Sequence, residues 1–286
     1  MTTIANPGTT QYLQISRADG SVGRIAYDDQ GVGPVVLLAP GMGTIRATFR
    51  HLVPVLLRAG YRVITTDYRG LGESDTGWDE YSSEVTAADL AALIRHLDAG
   101  PVLLYSNSYT SASSVHIAAD HPELLRGAVL AGPFVRSLPA PNLVGKATYA
   151  LMTKPLFTRR LWMTWFPHMF PKRPADYAEL RAAVDANLRE PGRTAVFAKM
   201  CAGTHSPAEV KLPRAKASAV PTLVIMGTAD EDFPDAAAEG RFVAESLDAR
   251  LELLDGYGHQ PHEETPERIA ELIIGLDPAG PATAVR

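Results

Sequence analysis

Two hydrophobic patterns alternate along most of this chain. One is the short unbroken apolar run: VVLLA from Val35, VITT from Val63, VLLY from Val102, AVLA from Ala128, TLVIMG from Thr222 and RLELL from Arg250. Continuous apolarity of this kind predicts strands covered on both faces, as in a parallel sheet. The other pattern has helical spacing. Phe49, Leu52, Val53, Val55 and Leu56 share one face, as do Leu90, Leu93, Ile94 and Leu97 in a segment from Ser83 to Asp98 with a serine available as its cap. Further helices are expected after Tyr105, from Asp235 to Leu247, and over PERIAELIIGL near the end. Strand and helix in turn predict a mostly parallel sheet with helices on both faces, joined by right-handed crossovers. The start departs from this rhythm, because YLQIS and GRIAYDD flank Ala18-Asp19-Gly20-Ser21, a composition that suits a hairpin.

Between about Val135 and Val220 the rhythm stops. No strong strand run occurs there, prolines recur (Pro139, Pro141, Pro155, Pro167, Pro171, Pro174, Pro191), and DYAELRAAVDANL and GRTAVFAKMCAG read as helices. This predicts an α/β core domain of residues 1–135 and 220–286, with residues 136–219 forming a helical cap over one edge of the sheet. Tyr149, Phe157, Trp162, Trp165, Phe166 and Phe170 crowd one part of the insertion. Most of these aromatics are expected to form its small core. Trp162, Trp165 and Phe166 are the ones assigned to a substrate pocket.

Composition narrows the function. The 286 residues are 46% hydrophobic and 21% charged, with a net charge of −5 and both signs interspersed, so no surface for a polyanion such as nucleic acid is expected. One cysteine, Cys201, excludes an internal disulfide and a multi-cysteine zinc site, and reads as a small apolar residue on a helix. The first residues lack a basic and then apolar leader, and no window reaches the roughly 18 apolar residues of a membrane span, so a cytoplasmic enzyme is expected. No metal is implied by histidine spacing, and no nucleotide loop is complete: Gly41-Met42-Gly43 lacks the later glycines. The expected partner is a small-molecule substrate with no cofactor; a homo-oligomer is compatible with the sequence.

The chemistry gathers where strands end. Ser108 follows VLLY at an abrupt change to small polar residues that can continue as a helix. A serine on such a strand-to-helix turn has its hydroxyl lifted clear, with a helix N-terminus behind it to favour developing negative charge. Asp230 follows VIMG, and His259 follows LELLD. Reactive groups in an open α/β sheet collect beyond the carboxyl ends of the strands, so all three belong to one edge. Ser108 needs a base, which His259 supplies, and Asp230 would fix the imidazole tautomer and stabilise its cation. Glu231, Asp232 and Asp235 compete for the acid's role. The backbone N–H groups of Met42 and Tyr109 are the natural oxyanion donors, with Gly41 and Gly43 allowing close approach.

LLAPGMG, YRVITTDYRGLGESD, VLLYSNSYTSAS, AADHPELLRGAVLAGP, PTLVIMGTADEDFP and DGYGHQPHEETPE together resemble the α/β-hydrolase superfamily over nearly the whole chain. The resemblance implies the α/β-hydrolase fold, with the triad in the order Ser108, Asp230, His259. It implies a carboxylic-ester hydrolase-like activity on an acyl substrate, which the composition of the cap suggests is largely apolar. It also implies that Asp67, Arg69 and Ser74 fix a loop and that His262 and Glu264 brace the histidine loop or cap the last helix. Two departures stand out: the elbow glycines are replaced by Ser106 and Thr110, and the oxyanion loop carries Pro40-Gly41 where the superfamily often has His-Gly. Dehalogenases and epoxide hydrolases of this fold place an aspartate at the apex, and no carboxylate occurs between Pro101 and Ala119. C–C bond hydrolysis, a lyase or cyclisation step, perhydrolysis and simple ligand binding remain alternatives on the same scaffold.

Overall fold

A computed structural model describes residues 8–137, 143–203, 208–277 and 280–281. The first seven residues, Pro139, Pro141 and most of the closing tail lie outside the described residues. In chain order the elements are β1 (Thr10–Ser16), β2 (Val22–Gln30), β3 (Val35–Ala39), α1 (Leu52–Arg58), β4 (Arg62–Thr66), α2 (Ser83–Leu97), β5 (Val102–Asn107), α3 (Tyr109–Asp120) and β6 (Leu125–Ala131). Then come α4 (Leu143–Met152), α5 (Pro155–Trp165), α6 (Tyr177–Arg189), α7 (Arg193–Gly203) and α8 (Leu212–Ala217). The chain closes with β7 (Thr222–Gly227), α9 (Ala236–Leu247), β8 (Arg250–Leu254), α10 (Pro261–Glu264) and α11 (Pro266–Leu276).

The strands form one sheet in the order β1-β2-β4-β3-β5-β6-β7-β8. β1 pairs with β2, and β2 with β4, antiparallel; every other neighbouring pair is parallel. This is the α/β-hydrolase fold. Side chains alternate across the sheet, which explains why the central runs are apolar at every position. Val36, Leu38, Leu103, Tyr105 and Ile225 pack on one face against α1 and α11, while Val35, Leu37, Leu104 and Val224 join α2, α3 and α9 on the other.

Side chains cap two of the helices, the first of them by the expected serine. Ser82 accepts from the N–H of Val85 at the start of α2, and Asp235 from that of Ala238 at the start of α9. α4 to α7 pack on one another, whereas α8 packs against α3 and α9. Trp162, Phe166, Phe170, Leu180, Val184, Leu188 and Phe197 are buried among these helices and the adjoining turn. Among the described residues, no helix is long and apolar enough to cross a membrane.

Candidate active site

β5 ends at Asn107 and α3 begins at Tyr109, leaving Ser108 alone at the apex with φ 58° and ψ −120°. A non-glycine residue there is strained and persists only when its surroundings over-determine it. Its surroundings do so. Ser108 N–H donates to Ala131 O at 2.8 Å, while Asn107 Nδ2 donates to Ala131 O at 3.1 Å and to His259 O at 2.9 Å. Thr110 Oγ1 accepts from Asn107 N–H at 3.1 Å and lies 3.0 Å from the carbonyl oxygens of Ala39 and Asn107. Ser106 Oγ accepts from Ser114 Oγ at 2.8 Å and donates to Val129 O at 3.2 Å. The two residues standing where glycines were expected are thus accommodated by hydrogen-bonded hydroxyls.

The β3 loop passes directly over this turn. A Cβ on Gly41 would lie 2.7 Å from Asn107 Oδ1 and 3.1 Å from Ser108 Cβ, so only glycine fits. Tyr68 Oη donates to Gly41 O and accepts from Gly43 N–H, each at 3.1 Å, and Trp162 Nε1 donates to Gly43 O at 3.0 Å. The N–H groups of Met42 and Tyr109, on either side of Ser108, have no hydrogen-bond partner among the described residues.

His259 is 2% exposed on its side chain, and its Nδ1 lies 2.7 Å from Asp230 Oδ2. Phe134 and Phe233 flank the ring. Gly132 sits behind it with φ 53°, and a Cβ there would come within 3.0 Å of His259 Nδ1. The histidine loop is tied down by His259 N–H donating to Met169 O, and by Glu264, which accepts from the N–H groups of Gly258 and Lys172 at 2.6 and 2.7 Å. Glu264 therefore braces this loop. His262 is buried below, between Tyr105 Oη and Thr48 Oγ1.

The other ring nitrogen makes no hydrogen bond among the described residues. His259 Nε2 lies 3.3 Å from Asp232 Oδ2, and among the described residues no hydrogen bond joins Ser108 to His259. Asp232 is held there because its Oδ1 accepts from Trp165 Nε1 at 2.6 Å and its N–H donates to Asp230 Oδ1 at 3.0 Å. Burial opposes charge on the imidazole, but the carboxylates of Asp230 and Asp232 outweigh it and push the His259 pKa up to about 9. Burial likewise pushes Asp232 up, against the pull of the imidazolium.

The competing acids are thereby sorted. Asp230 meets Nδ1 and Asp232 meets Nε2; Asp235 caps α9, and Glu231 faces His168 at 2.9 Å. Ligand atoms of Asp230, Asp232 and His259 lie within 4.8 Å of one another, with one hydrogen bond, Asp230 to Nδ1, and one ion-pair contact, Asp232 to Nε2, among them. Of the three aromatics assigned to a pocket, Trp162 reaches Gly43 in the loop after β3 and Trp165 reaches Asp232. Phe166 has no exposed surface and packs against Trp162, Phe170 and Tyr177, so it is a packing residue, not a lining one. Sequence reasoning missed the role of Asn107, whose amide spans from the elbow to the histidine loop. No spacing signals that contact.

Residues 36–272 match the alpha/beta hydrolase family. The chain belongs to it. Among relatives of this chain is "Putative non-heme bromoperoxidase BpoC" of Mycobacterium tuberculosis, 39% identical over 107 residues; that match spans only 37% of this chain and 40% of the relative. Haloalkane dehalogenase 2 of Mycobacterium bovis is 29% identical over 273 residues, covering 90% of this chain and 92% of the relative. The structure of the esterase EaEST from Exiguobacterium antarcticum is similar with a TM-score of 0.77 at 22% identity, over 94% of this chain and 98% of that one, a likeness of fold.

Proposed function

We propose that this hydrolase cleaves ester or related acyl substrates through Ser108, His259 and Asp230, with α4 to α7 as a cap over the site. The observation that carries the reading is the strained Ser108 apex beside a buried His259–Asp230 pair at 2.7 Å. The proton of Ser108 Oγ passes to His259 Nε2 as the Oγ–carbon bond forms. The oxyanion is met by the N–H groups of Met42 and Tyr109. Collapse breaks the bond to the leaving group, which takes the proton from Nε2, and an acyl-enzyme remains. Water, deprotonated by Nε2, then releases the acid and restores Ser108. Before the first step Nε2 and the serine hydroxyl have to come within hydrogen-bond reach, a tightening common between resting and substrate-bound sites.

The dehalogenase likeness does not carry its chemistry here, because the apex residue is serine and no carboxylate is near it in sequence. Turnover of p-nitrophenyl butyrate by the purified chain is the test. Ser108→Ala is expected to lower kcat by at least ~10³-fold, and a fluorophosphonate probe should label the wild type alone. Unchanged turnover in Ser108→Ala ends the reading, and a folded wild type that neither turns over esters nor takes the probe points to ligand binding instead.

A further inference from the structure

We propose that Asp232 sets the substrate class of this site, selecting acyl substrates whose leaving group carries a positive charge and rejecting those whose leaving group is anionic. The inference rests on the serine-hydrolase reading above and adds to it which end of the substrate is charged. Asp232 plays no part in the expected triad, yet its Oδ2 stands 3.3 Å from His259 Nε2. That nitrogen returns the proton to the departing heteroatom. A leaving-group atom within hydrogen-bond reach of Nε2 therefore lies within roughly 6 Å of the Asp232 carboxylate.

The charge balance around Asp232 is one-sided. Among the described residues, its only ion-pair partner is His259, and its other oxygen is met by the uncharged Trp165 indole. Asp230 and Glu231 add negative charge on the same turn, and Glu231 is engaged by His168. When His259 becomes the neutral base that attack on the substrate requires, Asp232 loses its counter-ion while only 16% exposed. A cation on the leaving group takes the place of the imidazolium. An anion there faces two carboxylates in a site poor in water, where like charges repel most strongly.

The geometry also sets the Asp232 carboxylate, through its 3.3 Å ion-pair contact, beside the nitrogen that the serine hydroxyl has to reach. A cationic group that draws the carboxylate toward itself moves it away from Nε2, where the serine hydroxyl has to bind, so charge selection and assembly of the catalytic pair are linked. Trp165 on α5 holds the other oxygen and keeps Asp232 in the site during the exchange. An apolar acyl part among the cap aromatics is compatible with this arrangement, since the charge sits on the departing end.

The test uses butyryl thioesters of three thiols: thiocholine, its neutral isostere 3,3-dimethylbutanethiol, and 2-mercaptoethanesulfonate. Released thiol is followed at low ionic strength with the full chain. The expected order in kcat/KM is cation, neutral, anion, with roughly tenfold or more between the first two. In Asp232→Asn the ratios should fall to within about threefold of unity, a readout that general loss of activity does not mimic because it lowers all three rates together. Should that variant not fold, Asp232→Ser carries the same arm. Equal rates for the three thioesters in the wild type, a preference for the anion, or a cation preference that survives both substitutions overturns the inference. So does absence of cleavage in a protein whose Ser108 takes the fluorophosphonate, and there the hydrolase reading stands. No cleavage with no labelling overturns both.

Discussion

Two buried clusters in this protein share a charge pattern, one cationic side chain between two aspartates, and differ in what the cation can do. In the first, Arg46 is 0% exposed, lies between Asp28 and Asp67, donates to Thr10 Oγ1 and is also 3.3 Å from the half-exposed Glu73 carboxylate. Asp67 accepts further from the N–H groups of Arg46 and Glu73 at 2.7 and 3.0 Å, and Ser74 Oγ donates to Asp67 O at 2.5 Å. In the second, His259 lies between Asp230 and Asp232. A guanidinium never gives up its proton at ordinary pH, and burial is outweighed by the carboxylates so that the Arg46 pKa is raised further. The first cluster can only hold the loop after β4. An imidazole can titrate, so the second can move a proton.

The largest break of this comparison is expected in the titrating cluster. Asp230→Asn keeps the shape but changes the tautomer that Nδ1 imposes, and kcat for p-nitrophenyl butyrate should fall by about 10⁴-fold. A fall of less than tenfold would mean that Asp232 is the working acid and that the histidine operates the other way round. The thermal midpoint is expected to move far less than the rate.

The fixed cluster should break in the opposite sense. Arg46→Met leaves Asp28 and Asp67 buried without a cation, at a cost of about 3–5 kcal/mol, read as the shift in urea midpoint at constant slope. Retained protein should keep most of its kcat per folded molecule. A loss of rate without a loss of stability would couple this loop to the reaction and dissolve the contrast.

A pH series sharpens the same contrast at smaller scale. His259 must be neutral to accept the serine proton, so kcat/KM should rise with pH, with its inflection at the ring's pKa of about 9, and level off above it. Removing the carboxylate at Nε2 lowers that pKa, and Asp232→Asn should bring the inflection down by about one unit. Because the folded pKa is raised above the ordinary histidine value of about 6.5, the stabilisation is complete below that value and is lost as pH climbs toward the folded pKa. The wild-type midpoint should thus decline over that window more than that of His259→Gln. Equal declines would show that the imidazolium is not held by its two aspartates.

Much of this was legible in the chain. The double-sided apolar runs predicted the parallel core, and the strand ends placed Ser108, Asp230 and His259 on one edge, because pleat and crossover direction are set by local pattern. Asp67, Arg69 and Ser74 hold the loop as the family resemblance implied; Arg69, for instance, pairs with Asp89 at 2.6 Å. The orientation of the imidazole was not legible. Which of two aspartates two residues apart meets which nitrogen depends on Trp165, a residue 67 positions away in sequence. Phe166 was misjudged for a similar reason: an aromatic cluster looks the same in sequence whether its rings face a pocket or one another.

The smallest expected effect concerns the elbow. The elbow glycines are replaced by Ser106 and Thr110, and a β-branched residue at Thr110 narrows the choice of χ1. The contacts argue that the hydroxyls replace what glycine would have supplied. Thr110 Oγ1 meets Asn107 N–H and the Ala39 and Asn107 carbonyls, all three buried, while Ser106 links β6 to α3 through Val129 and Ser114. Glycine at either position would remove these bonds and add freedom to the unfolded chain. Thr110→Gly is therefore expected to lose about 1–2 kcal/mol of stability, and Ser106→Gly about 1 kcal/mol, with kcat no higher than the wild type. A rise in kcat in the double variant Ser106→Gly/Thr110→Gly would show that the hydroxyls hold the turn away from its reactive geometry. No rise, with stability lost, would show that this elbow reaches the nucleophile's strained conformation by hydrogen bonding where the family pattern uses bare backbone.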